Sequence, residues 1–366
     1  VLSLRKNFMQ LHEDFITNLI PTANFQHKST FSAPSNIALV KYWGKNPDQT
    51  PANPSISFTL NDCKTITSVE ASFANQFSFD FYFEGERKPS FLPKLQTFFD
   101  KILPYCAFLN GLTLKIDSKN TFPHSSGIAS SASALAALAM NICDIERQLS
   151  SHPNEEHLLK KASFLARIGS GSACRSISGN PVIWGKNETF PAASDLYGIA
   201  FPNTLHAVFH NFQDTIMLVD VGQKVVSSTA GHALMNNHPF AASRFEQAHR
   251  NLAIISKALE QGDLDKFIEI TESEALTLHA MMLTSTPSFI LMHANTLQII
   301  ERVRRFREST KLPLCFTLDA GANVHLLYPE SIKSEILEFI KENLVEFCQN
   351  QQYLCDTVGN GAQKLN

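Results

Sequence analysis

Five segments of this chain carry residue types suited to holding or moving negative charge. The first is Pro123-His-Ser-Ser-Gly127-Ile128-Ala129-Ser130-Ser131-Ala132, a Ser/Gly loop running into an alanine-rich apolar stretch at 132–143. Glycine lets the backbone approach a ligand closely. Serine hydroxyls and the unpaired N–H groups of a helix start then face one point, and the helix dipole favours an anion there. The spacing is not that of the lysine-containing phosphate loop, and no G-x-x-x-x-G-K-[ST] string occurs in the chain. An ordinary serine N-cap on a core helix accounts for the same residues about as well.

The second segment is Ser35-Asn36-Ile-Ala-Leu-Val-Lys41-Tyr42-Trp43-Gly44-Lys45, where two lysines flank a tryptophan just after an apolar run. Paired cations at a strand exit suit a phosphate chain; a solvated turn is the bland alternative. The third is Gly169-Ser170-Gly171-Ser172-Ala-Cys-Arg175-Ser176. Its Gly–Ser alternation makes an anion nest, and Arg175 adds a fork matched to carboxylate or phosphate. The fourth, Ser227-Ser228-Thr229-Ala-Gly231-His232, reads equally well as a polar helix cap. The fifth is Phe316-Thr-Leu-Asp319-Ala-Gly321-Ala-Asn323. An aspartate at a strand end can accept or orient a hydroxyl proton, provided a neighbouring cation keeps it ionised. It can also simply close a tight turn. Together, two anion nests, two lysines, an arginine and a poised aspartate point to ATP-dependent chemistry on a small, multiply anionic substrate.

The elements that must position these residues are legible as hydrophobic periodicity. Alternation from Thr65 to Phe83 predicts a pair of half-buried strands, Leu92–Leu103 a helix, and Gly111–Ile116 a strand. A helix follows the loop at 123–131, another spans Glu155–Ile168, and Pro181–Trp184 is a strand. The second half reads as a strand at Thr215–Val221 and three helices near 238–260, 263–283 and 288–309. Strands at 316–318 and 324–328, a helix at 331–348 and a strand at 353–358 complete it. Strands and helices in two successive blocks predict an α+β chain. The expected divisions are an extension at 1–30, one domain at 31–205 carrying the phosphate loop, and another at 206–366 carrying Asp319.

Composition excludes other classes. With a net charge of −3 there is no basic field to hold a nucleic acid. No apolar run is long enough for a bilayer span, so neither nucleic-acid nor membrane partners are expected. The seven cysteines contain no C-x-x-C pair, which fits reduced thiols better than a disulfide frame or zinc site. With no signal-like apolar core after Arg5 and Lys6, the expectation is a cytoplasmic soluble enzyme or binding protein.

These strings carry a resemblance. The Ser/Gly loop is similar to the phosphate-binding motif of the GHMP kinase superfamily. The set Lys41–Lys45, Ser170–Ser176, Ser227-Ser228-Thr229, Glu274-Ala-Leu-Thr-Leu-His279 and Asp319–Asn323 resembles the mevalonate diphosphate decarboxylases within it. The matches run in order from about residue 32 to the C-terminus, and the Lys-Tyr-Trp-Gly-Lys and Ser-Gly-Ser-Ala-Cys-Arg strings are the most specific. The resemblance implies a GHMP-kinase-like fold: a ribosomal-S5-like N-terminal domain, a ferredoxin-like C-terminal domain, and an active site in the cleft between them.

It also implies ATP-dependent decarboxylation of mevalonate 5-diphosphate to isopentenyl diphosphate, with ADP, phosphate and CO₂ released. Asp319, Lys41 and Arg175 would be catalytic. Arg175, Ser228 and Asn36 would hold the substrate carboxylate, and Tyr42, Lys45, Ser170, Gly171 and Ser172 its diphosphate. Gly127, Ile128, Ala129, Ser130 and Ser131 would cradle ATP. Mg²⁺ would be held through the phosphates, with Ser130 or Ser131 the protein hydroxyl nearest to it. Residues 61–68 are the expected adenine contacts, and a homodimer is the family's common assembly. The chain departs from the family in reading His124-Ser-Ser for Thr-Ala-Ala and Asp-Ala-Gly-Ala-Asn for Asp-Ala-Gly-Pro-Asn. Rival readings on the same fold are a decarboxylase of mevalonate 5-phosphate and a 3-hydroxyl kinase, the latter disfavoured by Arg175. A non-catalytic metabolite-binding protein is a third.

Overall fold

A computed structural model of the chain describes residues 12–46, 49–123, 128, 130–179, 181–222 and 228–366. The apolar run before Lys41 is the end of a long strand, β1 (Gln26–Val40), which pairs antiparallel with β2 (Ser55–Phe73). There follow β3 (Ser78–Phe83), β4 (Glu86–Arg87), α1 (Leu92–Ile102), β5 (Leu112–Asn120), α2 (Ser130–Leu149), α3 (Glu155–Gly169), β6 (Val182–Trp184) and β7 (Ile199–Ala200). The second half contributes β8 (Gln213–Met217), α4 (Ser228–Ala233), α5 (Ala241–Gln261), α6 (Leu264–Leu283), α7 (Ala294–Thr310), β9 (Cys315–Leu318), β10 (Val324–Tyr328), α8 (Lys333–Asn343), β11 (Tyr353–Thr357) and β12 (Gln363–Lys364).

The first sheet runs β12-β1-β2-β5-β3-β4, with β6 beside β2 and β7 beside β6; only the β3–β5 pair is parallel. The second sheet runs β11-β8-β10-β9, antiparallel throughout. Numbered within that half, the order is fourth-first-third-second, with helices in the crossovers: a ferredoxin-like layout. The chain is therefore α+β, built on two sheets.

Apolar layers hold these parts. Phe98, Phe99, Leu135 and Phe164 pack α1, α2 and α3 on the first sheet, and Phe316, Val324, Ile299 and Ile336 pack α7 and α8 on the second. The layer between the halves matters most for the site. Phe58 of β2, Phe209, Phe212 and Phe267 of α6 form a buried ring cluster with centroids 5.1–6.4 Å apart. Each fully buried phenylalanine contributes about 1.5–3 kcal/mol, so this layer fixes the ends of β1 and β2 against the C-terminal helices.

Two sets of contacts cross the expected boundaries. Of the expected extension at 1–30, the described residues 12–30 pack on the first sheet and its helices: β1 already starts at Gln26, and Phe15 is buried, stacked on Phe164 at 4.3 Å. The sequence hides this because Ser29 and Thr30 are buried through hydrogen bonds to Asn141 and Ser68 rather than as an apolar stripe. Nor does the C-terminal end stay with the second sheet. β12 crosses back to pair with β1 at Phe31 and Ser32, and the Lys364 ammonium binds Asp144 of α2 at 2.9 Å. Among the described residues, no helix is long and apolar enough to cross a membrane.

Candidate active site

Lys41 is the first residue after β1, and Asp319 the first after β9, so two strand ends from different sheets meet here. The Lys41 ammonium lies 3.0 Å from Asp319 Oδ1; the lysine side chain is 2% exposed and the aspartate 32%. One partner is thus dry and the other open to the cleft. Burial pushes Lys41 below the ordinary lysine value, while Asp319 and Glu274 oppose that shift and Arg175 adds to it.

The backbone at Lys41 is clamped from the C-terminal helices. Its N–H donates to Glu274 Oε2 at 2.8 Å, and its carbonyl accepts from Arg244 Nη2 at 3.1 Å and Asn53 Nδ2 at 2.9 Å. Glu274 and Arg244 are themselves a fully buried ion pair, completed by Asn251. The Asp319 carbonyl accepts from His279 Nε2 at 3.1 Å and from the Gly321 N–H at 2.8 Å. A carbonyl only accepts, so His279 carries its proton on Nε2. Burial lowers its pKa to about 4. Two further bonds fix the turn where proline is absent: Thr296 to the Ala322 carbonyl at 2.7 Å, and the Asp220 N–H to Asn323 at 2.9 Å.

Arg175 lies in the 3-10 turn Gly171–Ser176 that follows α3. Its Nη1 donates to Ser55 at 2.7 Å and its Nε to Asn36 Oδ1 at 3.4 Å, with the guanidinium 5.7 Å from the Trp184 ring centroid. Asn36 turns its amide nitrogen to Ser176 Oγ at 2.8 Å and the Ser172 carbonyl at 3.2 Å, tying β1 to the turn. Burial pushes Arg175 below the ordinary arginine value, with Asp319 among the groups opposing the shift. Lys41, Asp319 and Arg175 therefore share one electrostatic neighbourhood. Tyr42 packs edge-on to Trp184 at 4.6 Å, and a Cβ at Gly171 would stand 2.9 Å from its hydroxyl. Ser170, Gly171, Ser172 and Lys45 are half-buried.

Of the expected nucleotide loop, Gly127 and Ala129 lie outside the described residues. Ile128 is buried, and its carbonyl accepts from Ser35 of β1 at 2.5 Å. Ser130 and Ser131 open α2 and line a cavity of about 280 Å³ walled by Phe81, Phe83, Phe91 and Leu95, with Lys94 at its edge. Thr67 is the member of the 61–68 stretch that lines it; Asn61, Asp62 and Cys63 instead give their backbone N–H groups to Asp356. Ser228 begins α4, and its side chain lies outside what is described. Among the described residues, no cluster of three His, Cys, Asp or Glu side chains could hold a metal ion.

Sequence reasoning gave His232 of the fourth segment no role of its own, and it missed Ser55, Arg244, Lys94 and the phenylalanine walls. Each sits in an element whose periodicity explains it as packing, and only the fold shows which buried polar group meets which.

The N-terminal half matches the family profile described as "Diphosphomevalonate decarboxylase-like N-terminal domain" over residues 33–196. The C-terminal half matches "Mevalonate 5-diphosphate decarboxylase C-terminal domain" over 215–364. The diphosphomevalonate decarboxylase of Saccharomyces cerevisiae is 31% identical over 336 residues, 86% of this chain and 81% of the relative. The human enzyme of that name is 28% identical over 85% of this chain and 78% of its own length. Among solved structures, mevalonate diphosphate decarboxylase from Staphylococcus aureus superposes with a TM-score of 0.79 at 30% identity, covering 93% of this chain and 99% of that one. MDDEF in complex with MVAPP, AMPPCP and magnesium also gives 0.79, at 29% identity over 93% of this chain and 100% of the other.

Proposed function

The chain belongs to the diphosphomevalonate decarboxylase family, and we propose that its cleft performs that reaction on the residues described above. It is an ATP-dependent carboxy-lyase of the mevalonate pathway, converting mevalonate 5-diphosphate to isopentenyl diphosphate with release of ADP, phosphate and CO₂. The observation that carries the assignment of roles is the 3.0 Å contact between buried Lys41 and half-open Asp319, with Arg175 in the same neighbourhood.

A tertiary hydroxyl is a poor leaving group, and ATP supplies the phosphoryl group that makes it a good one. Asp319 accepts the proton of that hydroxyl. Lys41 keeps Asp319 ionised by lying against it, and its charge favours the negative charge that develops as phosphate departs. Arg175, helped by Asn36 and Ser228, orients the substrate carboxylate. Ser55 and Asn36 already occupy two of the arginine's donor positions. Arg175 thus aims the carboxylate without holding it so tightly that loss of CO₂ is opposed, since ground-state binding alone does not speed the step. Tyr42, Lys45, Ser170, Gly171 and Ser172 hold the diphosphate.

The phenylalanine-walled cavity fits a purine by its apolar walls, and Ser130 and Ser131 in its lining start α2, where a helix N-terminus suits the phosphates. Gly127, Ile128 and Ala129 belong to the same cradle by family motif. Mg²⁺ would be held by phosphate oxygens, with a hydroxyl of Ser130 or Ser131 as the protein's contribution. The seven cysteines are unpaired, in keeping with a cytoplasmic location. Assembly as a homodimer belongs to the same proposal and is read by sedimentation.

The deciding experiment incubates the protein with ATP, Mg²⁺ and each mevalonate phosphate while measuring ADP and CO₂ together. Equimolar ADP and CO₂ from the diphosphate supports the reading. ADP without CO₂ makes the protein a kinase, turnover of the monophosphate alone makes it that compound's decarboxylase, and neither product leaves a binding protein.

A further inference from the structure

We propose that His232 is a positioning residue for the phosphate end of the substrate site: held as the Nε2–H tautomer, its ring fixes the Tyr42–Lys45 turn from the C-terminal half of the chain. This rests on the reading of Tyr42 and Lys45 as diphosphate-binding residues.

His232 lies on α4, and its Nδ1 is 3.0 Å from the Gly44 backbone nitrogen, 188 positions away in sequence. A backbone N–H can only donate, so Nδ1 must be the unprotonated acceptor and the ring proton must sit on Nε2. Gly44 has φ of +103°, a conformation in which the turn needs glycine. His232 supplies the acceptor for the N–H of that residue. The ring also packs against Tyr42 at 4.2 Å and Trp43 at 4.7 Å, covering both residues before Gly44.

Gly231 permits this docking. A Cβ there would stand 2.5 Å from the Trp43 ring, so α4 reaches the turn only with glycine at that position. His232 is 8% exposed. Burial, with Lys45 and Arg175 adding to it, lowers its pKa to about 3. The imidazole is thus neutral at any working pH, and its acceptor stays available; a protonated ring would set N–H against N–H. Within the N-terminal half the turn is held by the Ala52 N–H on the Gly44 carbonyl at 3.2 Å and by Tyr42 against Trp184; His232 adds the hold from α4.

Two measurements test this. In the ¹⁵N-histidine spectrum of the unaltered protein, His232 should show the Nε2–H tautomer and no titration from about pH 5 to 9. An Nδ1–H tautomer, or a midpoint in the ordinary histidine range, overturns the proposal. In kinetics, His232→Met keeps an apolar side chain of similar reach but removes the acceptor. The KM for mevalonate diphosphate should rise about tenfold while that for ATP stays within about twofold. His232→Gln, whose amide oxygen can accept from Gly44, should recover most of the loss. Equal effects on both KM values, or no difference between Met and Gln, would mean that the residue only fills space. If His232→Met does not fold, the tautomer decides. If the unaltered protein turns over no mevalonate phosphate, the functional reading fails on its own, and the tautomer still reports on His232.

Discussion

Glu274 holds the backbone of Lys41: its Oε2 accepts the lysine N–H at 2.8 Å across 233 positions of sequence. The same carboxylate is fully buried against Arg244, which in turn donates to the Lys41 carbonyl. A buried ion pair is weak evidence of net stabilisation, but removing one partner leaves the other uncompensated, at about 3–5 kcal/mol. Glu274→Gln should therefore lower Tm by several degrees and reduce kcat, although neither Glu274 nor Arg244 is assigned a contact with substrate. Thermal melts alongside turnover check this; an unchanged Tm with unchanged kcat would show that Lys41 does not depend on the clamp.

Asp319→Asn preserves shape and removes the charge that Lys41 balances. Substrate binding should persist within a few fold, whereas kcat should fall by a factor on the order of 10²–10⁴, the usual contribution of general base catalysis. Equilibrium binding of the diphosphate measured beside single-turnover ADP formation separates the two quantities. Near-normal turnover would remove Asp319 from the proton-accepting role.

Lys41 must carry a proton to keep Asp319 ionised, and burial pushes its pKa down from 10.5. A lysine depressed on folding disfavours the folded state when it is charged. Its unfavourable contribution therefore grows as pH falls from 10.5 to the folded pKa and is constant below that. Activity moves the other way, because deprotonation removes the charge beside Asp319. The alkaline limb of kcat/KM should fall below pH 10.5, and Lys41→Arg, which stays charged, should carry that limb upward whatever it does to the maximum rate. A limb that does not move assigns the titration to another group.

Arg175→Gln removes the cation but keeps a polar group near Ser55 and Asn36. Both binding and turnover should weaken, and kcat/KM should fall by about 10²-fold or more, as expected for loss of a charged, orienting hydrogen bond. Arg175→Lys should not restore it, since an ammonium cannot reproduce the fork that reaches both partners. An unchanged kcat/KM in either variant would count against the carboxylate clamp.

How far the site was legible follows from how its parts are connected. Lys41, Tyr42 and Lys45 stand within five residues of one another, and Arg175 follows its Gly–Ser nest directly, so chemistry and spacing were visible together. Asp319 was visible because a carboxylate at the end of an apolar strand is unusual. Arg244 lies on a helix whose periodicity announces only a buried face; Glu274 and His232 stand in segments that drew notice, but the backbone atoms that all three hold belong to the other half of the chain. The elements themselves were mostly plain. The exceptions depended on polar or local detail: β12, a two-residue strand of Gln and Lys, carries no hydrophobic pattern. The helix expected from 288 begins instead at Ala294, where the His293 N–H donates to Thr296 at 3.1 Å.

Asp356 offers a test of how the two sheets are joined. It lies on β11, yet its carboxylate accepts three consecutive N–H groups of β2: Asn61 at 2.9 Å and Asp62 at 2.8 Å on Oδ1, and Cys63 at 2.7 Å on Oδ2. An asparagine can keep only one of those oxygens. The favourable rotamer places its amide oxygen where two donors converge and turns the NH₂ toward the third, so Asp356→Asn should preserve the bonds to Asn61 and Asp62 and break that to Cys63. Leaving one buried donor unpaired costs about 1–3 kcal/mol, which urea unfolding should register as a lower midpoint with an unchanged m-value. Amide hydrogen exchange makes the argument site-specific. The Cys63 amide, buried in the unaltered protein, should exchange markedly faster in the variant, while those of Asn61 and Asp62 change little. Equal loss of protection at all three would mean that the contact fails as a unit through movement of β11. Unchanged protection at all three would mean that the other contacts between the halves, among them the phenylalanine layer and the Gly359 N–H on the Thr59 carbonyl at 2.8 Å, hold β2 against β11 without this carboxylate.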